Sequence, residues 1–188
     1  VLKVVDANGN LVDQWTVGED SKHTIKGLTV GAQYTIVEVT PADGYYTASN
    51  MTITIEDGEN YQFKNNLTSI SIQKLDHEGK PLAGAKLQLL DASGKVVDEW
   101  ISTTDARLVS GLIVGATYTI HEVDAPAGFG IAPDKDFTVA DADAQSVNFD
   151  NVQSVITIEK LGVDGFSVAG TVLKVVDANG NLVDQWTV

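Results

Sequence analysis

The sequence predicts an all-β chain of tandem Greek-key β-sandwich domains, each about 86 residues long. Three observations predict it. Apolar and polar residues alternate with a period of two in short runs such as Ile70-Ser71-Ile72-Gln73 and Tyr118-Thr119-Ile120-His121. Turn signals, Asp6-Ala7-Asn8-Gly9-Asn10 and Asp91-Ala92-Ser93-Gly94-Lys95, sit between apolar runs where a hairpin needs them. The chain also repeats itself: residues 1–17 recur unchanged as 172–188, a shift of 171, and 156–186 align without gaps on 70–100, a shift of 86. No segment sustains a helical period.

Residues 1–66 are expected to form a domain that lacks its first strand. They open on the hairpin around Asn8-Gly9, continue through the strand carrying Tyr34, Ile36 and Glu38, and close on Tyr61, Phe63 and Asn65. Residues 67–152 are expected to form one complete domain. Its strands run through Ile70–Lys74, Leu87–Leu89, Tyr118–Glu122, Phe137–Val139 and Val147–Asn151, about seven short strands in all. Residues 153–188 read as the first strands of a further repeat. The two recurrences predict that the chain is a window on a longer tandem array. In a rival reading, residues 154–171 complete the 1–66 domain in the same or a neighbouring chain, which leaves 172–188 redundant with 1–17.

Composition removes several functional classes. The chain has 188 residues, with 12 Lys and Arg against 26 Asp and Glu, for a net charge of −14. Nucleic acid and anionic membranes need a basic face, so neither is expected as a partner. With no Cys there is no disulfide, thiolate metal site or cysteine nucleophile. An extracellular version of the protein must therefore be stabilised by something else. No run of 18 apolar residues is available to cross a bilayer, and residue 1 does not open a secretory leader.

Three polar residues continue core faces. Side chains two apart in a strand share a face, so Ile70 and Ile72 are followed by Lys74, Tyr118 and Ile120 by Glu122, and Val147 and Phe149 by Asn151. The other copies repeat this as Ile156, Ile158, Lys160; Tyr34, Ile36, Glu38; and Tyr61, Phe63, Asn65. Any one of these residues read alone is a strand end reaching water or a snorkelling salt bridge. The recurrence of all three argues for a unit. Desolvation disfavours charge, so a buried Lys tends toward the neutral amine and a buried Glu toward the acid. A neutral amine is a nucleophile, and a protonated Glu can donate a hydrogen bond to the Asn carboxamide oxygen, polarising its carbon, and then shuttle protons as general acid and base. Attack of the Lys amine on the Asn side-chain carbon, with loss of ammonia, would leave a Lys–Asn isopeptide bond, formed once per domain and without turnover.

Other candidates are weaker. The Asp6–Asn10 segment has its Gly two places early for a calcium loop and no Glu at the twelfth position, so it reads as a turn. His23, His77 and His121 are isolated and read as surface residues; Trp15, Trp100 and Trp186 recur at one repeat position and read as packing. Asn50-Met51-Thr52 and Asn66-Leu67-Thr68 fit the short glycosylation sequon. No metal site and no cofactor is expected.

The segments Lys74-Leu75-Asp76, Gly79-Lys80-Pro81-Leu82-Ala83-Gly84-Ala85, Tyr118-Thr119-Ile120-His121-Glu122-Val123-Asp124-Ala125-Pro126-Ala127-Gly128-Phe129 and Phe149-Asp150-Asn151 together resemble the B-type repeat domains of Gram-positive collagen adhesins and of sortase-assembled pilins. The resemblance spans essentially the whole chain and implies an Ig-like or transthyretin-like sandwich. It implies a spontaneous isopeptide bond between Lys74 and Asn151, assisted by Glu122. For the flanking copies it implies Lys160 with the Asn65 and Glu38 of an adjoining equivalent. Pro41 stands one place early in the first copy, and Phe129 occupies a usual Tyr position. Neither a Leu-Pro-x-Thr-Gly sorting signal nor a pilin-type Tyr-Pro-Lys motif occurs.

The expected function is a structural spacer in an extracellular, cell-wall-anchored surface protein whose anchor lies outside residues 1–188. Its expected partners are neighbouring repeats, with any host ligand engaged through other domains. The alternative, a host-ligand-binding adhesin module, needs an exposed apolar patch or long loops, and the loops here are short. An enzyme such as a glycosidase ranks last, because no pair of carboxylates stands out.

Overall fold

The computed structural model describes residues 1–56 and 58–188. The chain divides into two compact units, Val1–Gln153 and Ser154–Val188. The described residues are all β-strand, turn and loop, and no helix is long and apolar enough to cross a membrane.

Within the first unit, residues 1–67 build one four-stranded antiparallel sheet. Its strands are β1 (Leu2–Asp6), β2 (Leu11–Trp15), β3 (Gln33–Glu38) and β4 (Met51–Thr54), in the order β2-β1-β3-β4. The β1–β2 turn forms where it was expected. Asp6 Oδ1 accepts hydrogen bonds from the N–H groups of Asn8 (2.9 Å) and Asn10 (2.8 Å). This is an Asx-type turn, in which the Asp side chain accepts from the backbone N–H groups of its own turn. Tyr61–Asn65, expected as the closing strand, takes no strand conformation. A strand exists through its ladder, and none of the described strands pairs with those residues.

Residues 68–153 form a two-sheet sandwich. One sheet has the order β11-β9-β6-β7, from β6 (Lys86–Leu90), β7 (Val96–Ile101), β9 (Thr117–Asp124) and β11 (Lys135–Thr138). The other has the order β12-β5-β8, from β5 (Ser69–Leu75), β8 (Arg107–Ser110) and β12 (Gln145–Asp150). A short pair, β10 (Phe129–Gly130) with β13 (Val152–Gln153), sits apart from both sheets. The first and last long strands, β5 and β12, lie side by side and run parallel, with Phe149 opposite Lys74.

Alternation decides what is buried. In β5 the buried residues are Ile70, Ile72 and Lys74; in β6, Leu87 and Leu89; in β9, Tyr118, Ile120 and Glu122. The apolar members of these sets join Val109, Leu112, Val139 and Phe149 in one core between the sheets. Burying each large aliphatic or aromatic side chain stabilises the sandwich by roughly 1.5–3 kcal/mol. Trp100 packs against this core, as its repeat position suggested.

Thr68, fully buried, joins the two domains. Its N–H donates to Gly44 O at 2.9 Å, its hydroxyl donates to Leu112 O at 2.7 Å, and its carbonyl accepts from Gly111 N. Gly44 has a φ of +86°, and a Cβ there would stand 3.0 Å from Gly111 O, so the close approach requires glycine. Asp141 accepts from the N–H (2.7 Å) and hydroxyl (2.6 Å) of Thr47, while the Tyr46 hydroxyl donates to Asp143 at 3.0 Å.

The second unit holds one hairpin, β14 (Val172–Val176) with β15 (Leu182–Thr187). Its Asp177 turn repeats the Asp6 geometry, with Oδ1 accepting from Asn179 and Asn181. Ile156 and Ile158 are exposed, at 75% and 45%.

Candidate functional site

Lys74, Glu122 and Asn151 come from three strands or strand ends and meet inside the sandwich. Each continues an apolar face, and each is at most 2% exposed. β5 and β12 being parallel neighbours sets Lys74 opposite Phe149, and Asn151 N donates to Leu75 O at 2.8 Å, which fixes the end of the last strand beside β5. Glu122 enters from the facing sheet, in register with Leu87.

One carboxylate oxygen serves two groups. Glu122 Oε1 stands 3.9 Å from Lys74 Nζ and accepts a hydrogen bond from Asn151 Nδ2 at 3.2 Å, so the carboxyl meets the amide nitrogen and not the amide oxygen that the sequence reading expected. Glu122 Oε2 accepts from the Ala132 N–H at 2.6 Å, which holds the carboxyl in place. Lys74 Nζ donates to Phe149 O at 3.1 Å and lies over the Phe149 ring, 4.5 Å from its centroid. Burial of Lys74 pushes its pKa below the ordinary value of 10.5; the negative charges of Glu122 and Asp150 oppose this without overcoming it. The amine is therefore easier to deprotonate than a surface lysine. The Asn151 amide oxygen, in turn, accepts from Val152 N at 3.3 Å.

Residues 1–67 hold two members of the same constellation. Glu38, 9% exposed, accepts at Oε2 from both Asn65 Nδ2 (2.7 Å) and Ala48 N (2.7 Å), whereas Glu122 divides the equivalent donors, Asn151 and Ala132, between its two oxygens. Lys160, the third residue by sequence position, lies in the other unit, where it is exposed. The remaining sequence candidates stay peripheral. His23 stacks on Trp15 and contacts Asp13, and His121 contacts Asp134; in both pairs the side chains are well exposed. No cluster of metal-ligating side chains occurs among the described residues.

Some partners of the trio carry no sequence signal. The N–H groups of Ala48 and Ala132 belong to loops, and only folding aims them at a carboxylate. Phe149 was legible in part, since it shares the face of Asn151 two residues on.

A family model for the SpaA prealbumin-like fold domain matches residues 1–67 and again residues 68–153. No curated protein matches the chain. Among solved structures, the Bacillus anthracis TIE protein aligns with 99% of this chain and 37% of its own at 19% identity and a TM-score of 0.53, a likeness of fold. The chain thus spans well under half of that protein's length. The shaft pilin spaA from Lactobacillus rhamnosus GG aligns with 84% of this chain and 88% of its own, at 17% identity and a TM-score of 0.37. The major pilin subunit of Bacillus cereus, in a D312A form of BcpA*, aligns with 45% of this chain and 28% of its own, at 24% identity and a TM-score of 0.39.

Proposed function

The chain belongs to the SpaA prealbumin-like fold domain family, and from that premise we propose that it is a structural stalk segment of a bacterial surface adhesin or pilin, locked by an isopeptide bond between Lys74 and Asn151. The observation that carries the reading is the fully buried trio, with one Glu122 oxygen in reach of both the amine and the amide.

The step is a transamidation. The neutral Lys74 Nζ attacks Asn151 Cγ, forming the N–C bond, and Glu122 takes the proton released from the attacking nitrogen. Val152 N–H, already hydrogen-bonded to the amide oxygen, stabilises the negative charge that develops there. Glu122 returns the proton to Nδ2, the C–N bond breaks, and ammonia leaves. One amide replaces another, so no oxidant, metal or cofactor is needed. Glu122 is regenerated, but the protein has consumed itself as substrate.

A bond between β5 and the end of β12 suits a stalk. Tension that enters through β5 and leaves past residue 151 would pass across the covalent link instead of unzipping the sheets. The chemistry needs no oxidising compartment, which accords with a chain that has no Cys. Intact-mass measurement tests it: the wild-type chain is expected one ammonia short for the Lys74 site, and Lys74→Ala, Asn151→Ala and Glu122→Ala are each expected to restore the mass calculated from sequence. An unshifted wild-type mass would refute the crosslink and leave a buried ion pair.

A further inference from the structure

The loop after β9 touches the end of every strand that carries the trio. It turns at Pro126, whose carbonyl accepts from the Phe129 N–H at 3.1 Å. Phe129 and Gly130 then form β10, which pairs antiparallel with Val152 and Gln153, the two residues that follow Asn151. Two residues further on, the Ala132 N–H donates to Glu122 Oε2 at 2.6 Å. The Phe129 ring also lies against His77, three residues past Lys74, with ring centroids 6.2 Å apart. One short loop thus reaches the end of β5, the end of β12 and the Glu122 carboxyl.

The same loop recurs in residues 1–67. Tyr45 stands 84 residues before Phe129, and its N–H donates to Ala42 O at 3.1 Å. Tyr45 bridges Leu67 as Phe129 bridges Gln153, and the Tyr46 N–H donates to Asn66 O at 3.2 Å. Tyr46 O accepts from Asn65 Nδ2 at 3.3 Å, and the Ala48 N–H donates to Glu38 Oε2 at 2.7 Å.

The two copies separate what the sheet does from what this loop does. Asn151 follows β12, which pairs with β5 along all six of its residues. Residues 61–65 pair with none of the described strands, yet Asn65 donates to Glu38 at 2.7 Å. What the copies share is the clasp made by this loop and the two residues after the Asn. The amine does not set the pair either, because Lys74 Nζ donates to Phe149 O and stands 3.9 Å from the Glu122 carboxyl.

We propose that this clasp is the positioning device of the crosslink site: the pairing of Phe129 and Gly130 with Val152 and Gln153 presets the Asn151 amide against the Glu122 carboxyl, and Phe129 is its positioning residue. The geometry rests on the two copies alone; the kinetic consequence rests also on the reading of Lys74 as nucleophile. Phe129 acts through two backbone donors, the Val152 N–H on the amide oxygen at 3.3 Å and the Ala132 N–H on the carboxyl. Attack within a folded chain depends on such placement, and a displacement of about 1 Å costs about 10²-fold in rate.

The test follows ammonia loss by intact mass as the full chain refolds, with the folded fraction read by circular dichroism on the same samples. Folded Phe129→Ala should react about 10–10²-fold more slowly than wild type. Phe129→Tyr, the residue type that Tyr45 supplies to the other clasp, should restore the wild-type rate. Val152→Pro combined with Gln153→Pro removes both N–H groups of β13 at exposed positions, outside the core, and should slow the reaction at least as much. In Lys74→Met, which cannot react, hydrogen exchange of the Asn151 carboxamide should stay slow by NMR, and adding Phe129→Ala should abolish that protection. Folded Phe129→Ala or the double-proline chain reacting at the wild-type rate would overturn the clasp, as would Phe129→Tyr remaining as slow as Phe129→Ala. A wild-type chain that loses no ammonia refutes the Lys74 reading instead. The Asn151 exchange in Lys74→Met then decides the clasp by itself, and protection that survives Phe129→Ala overturns it.

Discussion

Replacing Lys74 with methionine (K74M) removes the amine but keeps a side chain of similar length over the Phe149 ring, so it deletes the proposed bond with little change in packing. From residue 74 to residue 151 the bond would close a loop of 77 residues. By loop-closure entropy, opening it costs about 4.5 kcal/mol. With an unfolding entropy of about 2.1 cal/mol/K per residue, that is a drop of about 25 °C in the melting temperature of an 86-residue domain. Methionine spares the cost of burying an amine, so the observed drop should lie at or below this figure. Calorimetry on the full chain, with intact mass on the same samples, reads it. Force spectroscopy gives a second magnitude: the locked domain should withhold 77 residues from extension, and K74M should release them, adding about 260 Å of contour length. A K74M chain that melts within about 5 °C of wild type and extends to the same length would refute the reasoning.

Glu122→Gln keeps an acceptor for the Ala132 N–H but cannot shuttle a proton, so bond formation after refolding should slow by about 10²–10⁴-fold, followed as mass loss over time. The same time course on wild type should quicken as pH rises. The neutral amine is the nucleophile, and burial lowers the Lys74 pKa, so the increase should be centred below 10.5; a rate that falls with pH would exclude Lys74 as nucleophile. At the joint between domains, hydrogen bonds from the Thr47 side chain and N–H hold the Asp141 carboxyl below the usual carboxylate range. A folded pKa depressed in this way gives an interaction present above the ordinary carboxylate pKa and lost as pH falls through the lowered value. Small-angle scattering should therefore show the joint loosening in acid, and Asp141→Ala should reproduce that state at neutral pH. Gly44→Ala should cost about 1–2 kcal/mol from its positive φ alone, more with the contact to Gly111 O, and should uncouple the melting of the two domains.

The period-two alternation determined a great deal by itself, because side chains on a strand must take one face or the other. It assigned β5, β6 and β9 their buried residues, and it put Lys74, Glu122 and Asn151 on core faces. The repeat added the Glu38–Asn65 pair and matched Lys160 to it. Local turn chemistry was equally legible, since an Asp whose side chain closes its own turn needs only its neighbours. Tertiary structure decided the rest. Alternation names a face but not the strand opposite, so only pairing could make β5 and β12 parallel neighbours and bring Glu122 Oε1 between amine and amide. Backbone donors such as Ala132 N have no sequence signature, because every residue carries one. Tyr61–Asn65 shows the limit most directly: its pattern is that of a strand, and it forms none, because a ladder needs a partner and none of the described strands pairs with it.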